Sequence, residues 1–550
     1  MIICLVQKID VNNLKMSGSK GQNPIVLAQG FRYKRGLCMK LFAAIDVGSY
    51  EIGMKIFELS QKRGVREVDY VRHRVEIGTD TYNTGKISYE RMDELCEILK
   101  GYHEIMNAYK VDSYRAYGTS AIRETENTSV ILDQIRLRTG INVSPLSNSE
   151  QRFLDYKSVA LKSEQFDHII DRGTAFIDIG GGSTQVSLFS NSHLITTVNL
   201  RLGILRLRTT LNSLEPTTGN YDRLLSELIA NELHSFKKLY LNNIDIQNIV
   251  VIDDYLPYII QKIGNKHGLI NQVTGDQYVK FVDVLRSMSP AQISRELGIP
   301  RENASLLMPS ATLIKYMIRV TGAERLWIPG VTLSDGIAYD YAEKNKFVKS
   351  DHNFEEDIIS CAENISLRYQ GSQVLGDQMV LCSMAIFDSM KKLHGMDKRG
   401  RLLLQLAARL RDVGRFVSMS DSAEASYSII MGTEIIGLSH LEREIVATVV
   451  LNSYPKEIYY EALEDNDFDE KSLLMVTKLT AMLRVAVGLA RSPKKKYNEV
   501  KASLKDKSLI ITIDTREDLS LEKGLFEEEI PMFEEVFGIR PVMRTKGVFL

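Results

Sequence analysis

No cysteine framework can be drawn from this sequence. Its five cysteines (Cys4, Cys38, Cys96, Cys361 and Cys382) are scattered, odd in number and free of Cys-x-x-Cys spacing. That excludes a disulfide-stapled scaffold and a thiolate zinc site, and it points to reduced, buried thiols in a cytoplasmic protein. Charge of one sign is missing as well. Sixty-nine Lys and Arg against 70 Asp and Glu leave a formal net charge of −1, so no global field draws the chain to nucleic acid or to an acidic polymer, and any polyanion site must be local. No uninterrupted apolar run approaches the ~18 residues of a membrane span, and the opening Met1-Ile2-Ile3-Cys4-Leu5-Val6 is too short for the core of a signal peptide. Residues 1–38 lack periodicity, and the expectation there is a disordered extension or a misassigned start. What remains is an ordinary globular composition, 44% hydrophobic and 25% charged over 550 residues, with length for three or four domains of ~150 residues.

Two stretches stand out. Phe176 to Phe189 reads F-I-D-I-G-G-G-S-T-Q-V-S-L-F: an apolar strand ends in three glycines and a hydroxyl pair, then alternation resumes through Val186 and Leu188. This is the pattern of a phosphate-binding hairpin. Glycine can adopt positive φ and bring backbone N–H groups close to an anion, so Gly180, Gly181 and Gly182, with Ser183 and Thr184, are candidate phosphate-binding residues. Asp178, at the strand end, is placed to hold a divalent cation or its water shell. Leu41 to Phe57 repeats the pattern, with Asp46, Gly48 and Ser49 between a strand and the alternating Ile52, Met54 and Ile56. Two such hairpins predict two similar lobes, each offering one phosphate loop to a shared cleft.

Between the hairpins lie Gly118-Thr119-Ser120-Ala121-Ile122-Arg123-Glu124-Thr125-Glu126-Asn127 and Leu146-Ser147-Asn148-Ser149-Glu150-Gln151; beyond them come Arg201-Leu202-Gly203 and Leu333-Ser334-Asp335-Gly336-Ile337. In order and spacing this succession resembles the exopolyphosphatase and guanosine pentaphosphate phosphatase (Ppx/GppA) family, as a divergent member, over roughly residues 39–490. The resemblance implies two actin-like (ASKHA, ribonuclease H-like) α/β lobes around a central cleft, followed by an all-α HD-like domain and a small α+β cap. The corresponding divisions are 1–38 extension, 39–146 lobe I, 147–345 lobe II, 350–492 helical domain and 497–550 C-terminal domain. It also implies a bacterial, cytoplasmic hydrolase that uses Mg²⁺ to release terminal phosphate from polyphosphate or guanosine pentaphosphate, with no nucleic-acid or membrane partner and with homodimerisation through its C-terminal half. Thr119 and Arg123 join the phosphate contacts, the guanidinium of Arg123 offering planar donors.

Several residues depart from the family pattern. Where the family has two adjacent glutamates this chain has Glu150-Gln151, and the one usually assigned as base falls on Gln151. The cation-binding glutamate of the glycine hairpin is Gln185, Tyr50 replaces an Asn, and the third phosphate turn falls on Val250-Val251-Ile252-Asp253-Asp254-Tyr255, whose acids would repel an anion. Glutamine keeps an acceptor oxygen but takes no proton. The expectation is therefore a weak or divergent phosphohydrolase, with Glu150 as substitute base and Arg123 beside it as catalytic residues. The alternative is a catalytically inactive polyphosphate- or nucleotide-binding sensor or partner protein, a pseudoenzyme. The helical domain has lost the HD ligands: Arg411 precedes Asp412 where His is usual, and Gln378 follows Asp377, which leaves no set of donors for a metal.

Overall fold

The computed structural model describes residues 39–162, 166–218, 221–241, 244–253, 255–267, 271–350, 352–454 and 468–546; the expectation for residues 1–38 lies outside them. The first apolar strand, β1 (Lys40–Val47), turns tightly into β2 (Glu51–Ser60), which turns again into β3 (Gly64–Arg74). After the helix Tyr89–Tyr109, β4 (Ser113–Gly118) and then β5 (Val143–Pro145) add in parallel on the far side of β1. The resulting sheet has the order β3-β2-β1-β4-β5. The glycine stretch starts the same build again. β6 (Thr174–Ile179), β7 (Thr184–Ser190) and β8 (His193–Leu200) form an antiparallel meander, and β9 (Asn248–Ile252) joins β6 in parallel. β11 (Arg325–Trp327) follows in parallel and β10 (Gln272–Thr274) closes the edge. Read from β8, the second sheet repeats the first, with one strand added. Three antiparallel strands followed by parallel strands with helical crossovers, built twice, make the two-lobed architecture expected from the two hairpins.

Between the lobes runs the helix Asn148–Lys162, with a different task on each face. Leu154 packs with Phe42, Phe57, Leu333 and Ile337 in a core beneath the first sheet. Tyr156 sits among Phe166, Phe176, Phe189 and Phe354, which fuse the second lobe to the helices that follow. Lys157 donates to Asp340 and Glu343, each at 2.8 Å. Leu333, Ile337 and both partners of Lys157 lie on the helix Leu333–Lys344, which ends the second lobe in sequence yet packs on the first sheet, where its Asp335 accepts from Lys55 of β2 at 2.8 Å.

From Phe354 to Leu489 the described chain is helical. In place of a His-Asp pair, Arg411 donates to Asp412 at 2.5 Å and stacks 3.9 Å from the Tyr454 ring centre, a buried ion pair beneath an aromatic lid. One described helix, Glu470–Leu489, reaches a membrane-span length and hydropathy that no uninterrupted run in the sequence suggested. Its mean hydropathy is 1.6, and 67% of its apolar window is buried inside the protein, where it packs against neighbouring helices as a core element. The end of the described chain forms β12 (Val500–Lys505), β13 (Ser508–Asp514) and β14 (Arg540–Lys546), covered by two helices, Ser520–Glu528 and Ile530–Phe537. Cys96, Cys361 and Cys382 are free and buried; burial pushes the Cys361 thiol up to about 11 and that of Cys382 to about 12. Cys4 and Cys38 lie outside the described residues.

Candidate functional site

The two hairpins meet. Gly48 N–H donates to Glu51 O at 3.1 Å, and Gly180 N–H donates to Ser183 O at 2.9 Å, so each β-hairpin closes by the same four-residue turn. In register, Asp46 stands opposite Gly53 and Asp178 opposite Gln185. Both aspartates, together with Gly48, Ser49, Thr119, Gly180 and Gly181, line one cavity of about 120 Å³. Seven of the residues singled out in the sequence are thus brought together by the fold.

The glycines do not adopt the positive φ expected of them. None of Gly48, Gly180, Gly181 and Gly182 has positive φ. What they permit is close approach: a Cβ on Gly181 would stand 2.8 Å from the Ser49 Cβ across the cleft, and one on Gly182 would meet the Tyr82 hydroxyl. Ser49, Tyr82 and Ser120 share a triangle of hydroxyl contacts at 2.8–2.9 Å, and burial raises the Tyr82 phenol. Tyr82 and Arg206, which donates to Gly182 O at 2.8 Å and to Glu124 at 2.7 Å, cover the loop on that side. Gly182, Ser183 and Thr184 are therefore not among the cavity's lining residues. The Thr184 hydroxyl is used on Leu202 O at 2.9 Å.

Arg123 and Glu150 are corrected in the same way. Neither lines the cavity. Glu150 closes a reciprocal cap at the start of the helix Asn148–Lys162: Ser147 N–H donates to Glu150 Oε2 at 3.0 Å, and Glu150 N–H donates to the Ser147 hydroxyl at 3.1 Å. Arg123 donates to Leu146 O at 2.6 Å and to Asn148 Oδ1 at 2.5 Å. Both side chains hold one turn, the Leu146–Asn148 connection, and the physical reason is helical period. Position 150 lies ~100° round the helix from the face that meets the cavity.

That face carries Gln151 and Asp155, one turn apart, and both line the cavity. Gln151 Nε2 donates to Asp178 Oδ2 at 3.1 Å. Asp155 is 3% exposed; burial first, then the charges of Asp178 and Asp46, lift its carboxyl well above the usual range. The sequence reading missed Asp155 because no glycine or motif marks it; four-residue spacing from Gln151 was the available signal. Asp253 also lines the cavity, but its carboxylate accepts from Tyr255 N–H and Leu256 N–H, both at 2.7 Å, and from the Ser310 hydroxyl at 3.0 Å. It holds the start of the helix Leu256–His267. Asp254 lies outside the described residues.

Asp46, Glu51, Asp155, Asp178 and Asp253 make five acids in the lining, and among the described lining residues none is Lys or Arg. Among the described residues no group of three His, Cys, Asp or Glu is arranged to hold a metal ion by itself. Mg²⁺ does not require such a cage, since it is commonly held by one or two carboxylates with phosphate oxygens and water. The all-oxygen, acid-rich donor set fits a hard divalent cation.

The duplicated sheet, the paired hairpins and the acidic cleft define a two-lobed, actin-like fold. Sequence comparison narrows the class: the Ppx/GppA phosphatase family matches residues 60–345, and Ppx/GppA phosphatase domain III matches residues 360–532. The chain belongs to the Ppx/GppA phosphatase family. It is 19% identical over 491 residues to a guanosine-5'-triphosphate,3'-diphosphate pyrophosphatase of Vibrio atlanticus (strain LGP32), covering 86% of this chain and 92% of that one. It is also 19% identical over 463 residues to the protein of the same name from Vibrio vulnificus (strain YJ016), covering 80% and 86%. An exopolyphosphatase crystal structure from Cytophaga hutchinsonii ATCC 33406 shares the fold, with a TM-score of 0.50 and 17% identity over 56% of this chain and 100% of that one.

Proposed function

We propose that the cleft binds the terminal phosphate of a linear phosphoanhydride, polyphosphate or guanosine pentaphosphate, and that the chain hydrolyses it slowly with Mg²⁺. The observation that carries this reading is the delivery of Asp46 and Asp178, by two equivalent turns, into one cavity rich in carboxylates and with no basic side chain among its described lining residues. Such a cavity repels a bare phosphate and accepts one that arrives with a cation. Asp178, fixed by Gln151, would hold the cation or its water shell, and the Ser49 and Thr119 hydroxyls lie within the same lining to meet phosphate oxygens. Bound Mg²⁺ would neutralise charge on the transferring phosphoryl group.

Gln151 occupies the place of the family's base. It can orient a water through its carbonyl oxygen but cannot take its proton, a loss of roughly 10²- to 10⁴-fold in rate. The same two glutamines, Gln151 and Gln185, favour a second reading, a sensor that binds the polyanion without turnover. Inorganic phosphate release from long-chain polyphosphate and from guanosine pentaphosphate, with Mg²⁺ and with chelator, decides between them. Mg²⁺-dependent release that disappears in Asp178→Asn supports the hydrolase. Mg²⁺-dependent polyphosphate binding without release supports the sensor, and no interaction with either anion overturns both. Reduced, buried thiols favour a cytoplasmic setting.

A further inference from the structure

The carboxylates of the cleft are not equally occupied. Asp253 is saturated by two backbone N–H groups and a hydroxyl. Asp178 accepts from Gln151. Glu51 has Arg72 of β3 within 3.5 Å. Asp155 is 3% exposed and lines the cavity; it shares a side-chain hydrogen bond with Asp178, and its Oδ2 has no hydrogen-bond partner among the described residues. Burying a carboxyl oxygen without a partner is costly, and folds retain such an atom where a ligand completes it. The nearby cation, Arg152, does not line the cavity. Its guanidinium reaches back to Val198 O at 3.4 Å and towards Glu434 at 4.0 Å.

We propose that Asp155 is a cation ligand of this chain, supplying with Asp178 the negative charge that Gln151 and Gln185 no longer provide, so that a divalent metal of the Mg²⁺ class sits between the helix Asn148–Lys162 and the glycine hairpin. The donors are carboxylate oxygens, with no imidazole or thiolate among the described lining residues, which selects Mg²⁺ or Mn²⁺ over Zn²⁺. Gln151, one helical turn before Asp155, then has a clear task. As a neutral amide it donates to Asp178 and fixes that carboxylate, where a third negative side chain would add repulsion. The charge has moved by one turn along the same helical face, and Asp155 and Asp178 give the site two carboxylates.

The inference rests on reading the cleft as a phosphoanhydride site, but cation binding can be measured without substrate. Mn²⁺ binding to the substrate-free full-length protein is followed by electron paramagnetic resonance, with Mg²⁺ as competitor, and the melting temperature is recorded with and without Mg²⁺. The wild type should bind Mn²⁺ displaceably by Mg²⁺ and melt higher in Mg²⁺. Asp155→Asn should weaken binding by roughly tenfold or more and lose the melting shift, whereas Glu150→Gln should bind as the wild type does. If Asp155→Asn fails to fold, Asp155→Ser, which removes the carboxylate and leaves room for a water, replaces it. Wild-type affinity in a folded Asp155 variant, or no Mn²⁺ binding by the wild type, overturns the proposal. The latter result would mean that Asp155 is a protonated partner of Asp178 and nothing more. Cation binding that depends on Asp155 in a protein that releases no phosphate would leave this inference standing and remove the hydrolase.

Discussion

Glu150 and Asp155 lie on one helix, about 140° apart around its axis, and their fates show how helical rotation decides a role. Glu150 carries the acid that motif reading selects, yet its carboxylate is spent on the Ser147 amide. Replacing it with Ala should therefore lower stability by about 1 kcal/mol, the usual worth of an N-terminal cap, and leave phosphate release within a few-fold of wild type. Glu150→Gln, which retains the capping acceptor, should be close to silent in both measurements. A loss of turnover in a normally stable Glu150→Gln would return the base to that position.

At the scale of elements, the helices Asn148–Lys162 and Leu333–Lys344 cross backbone against backbone. A Cβ on Gly336 would stand 2.0 Å from Leu154 O. The Ser334-Asp335-Gly336 motif thus has two structural tasks, since Asp335 pairs with Lys55 at 2.8 Å and Gly336 makes the crossing possible. Gly336→Ala must push the helices apart, at a cost on the order of 3 kcal/mol. Because the displaced partner carries Gln151 and Asp155, turnover and cation affinity should fall together with the melting temperature. Full stability in this variant would show that the crossing yields without strain.

For the whole molecule, a loop of the helical domain packs on the helix that lines the cleft. Glu434 accepts from the Ser149 hydroxyl at 2.6 Å, its backbone carbonyl accepts from Thr197 at 3.1 Å, and its carboxylate faces the buried Arg152. Burial lowers the guanidinium's affinity for its proton, and Glu434 is first among the charges that restore it. Glu434→Gln leaves a buried guanidinium short of counter-charge, with a destabilisation on the order of 3 kcal/mol, read as a lower denaturation midpoint at unchanged slope. A double variant with Arg152→Met should recover much of it, because an apolar side chain needs no counter-charge; failure to recover would show that the two residues act independently. Ser149, Arg152 and Asp155 follow one another on a single helix, so the position of the helical domain and the geometry of the cleft are mechanically linked.

How much of this was legible in the chain follows from the range of the forces involved. Strand-glycine-strand patterns are local, so the sequence alone determined the two hairpins, their aspartates, the duplicated lobes and the change to helices after Phe354. The family motifs, being ordered runs of neighbours, were legible for the same reason. Which face of the helix Asn148–Lys162 meets the cleft was decided only in three dimensions, and with it the exchange of Glu150 for Asp155, because one residue of rotation depends on how Leu154 and Tyr156 seat in two separate cores. The return of Leu333–Lys344 to the first sheet and the insertion of Glu434 beside Arg152 join residues hundreds of positions apart. No local pattern encodes such contacts; burial of apolar surface against whatever lies opposite selects them.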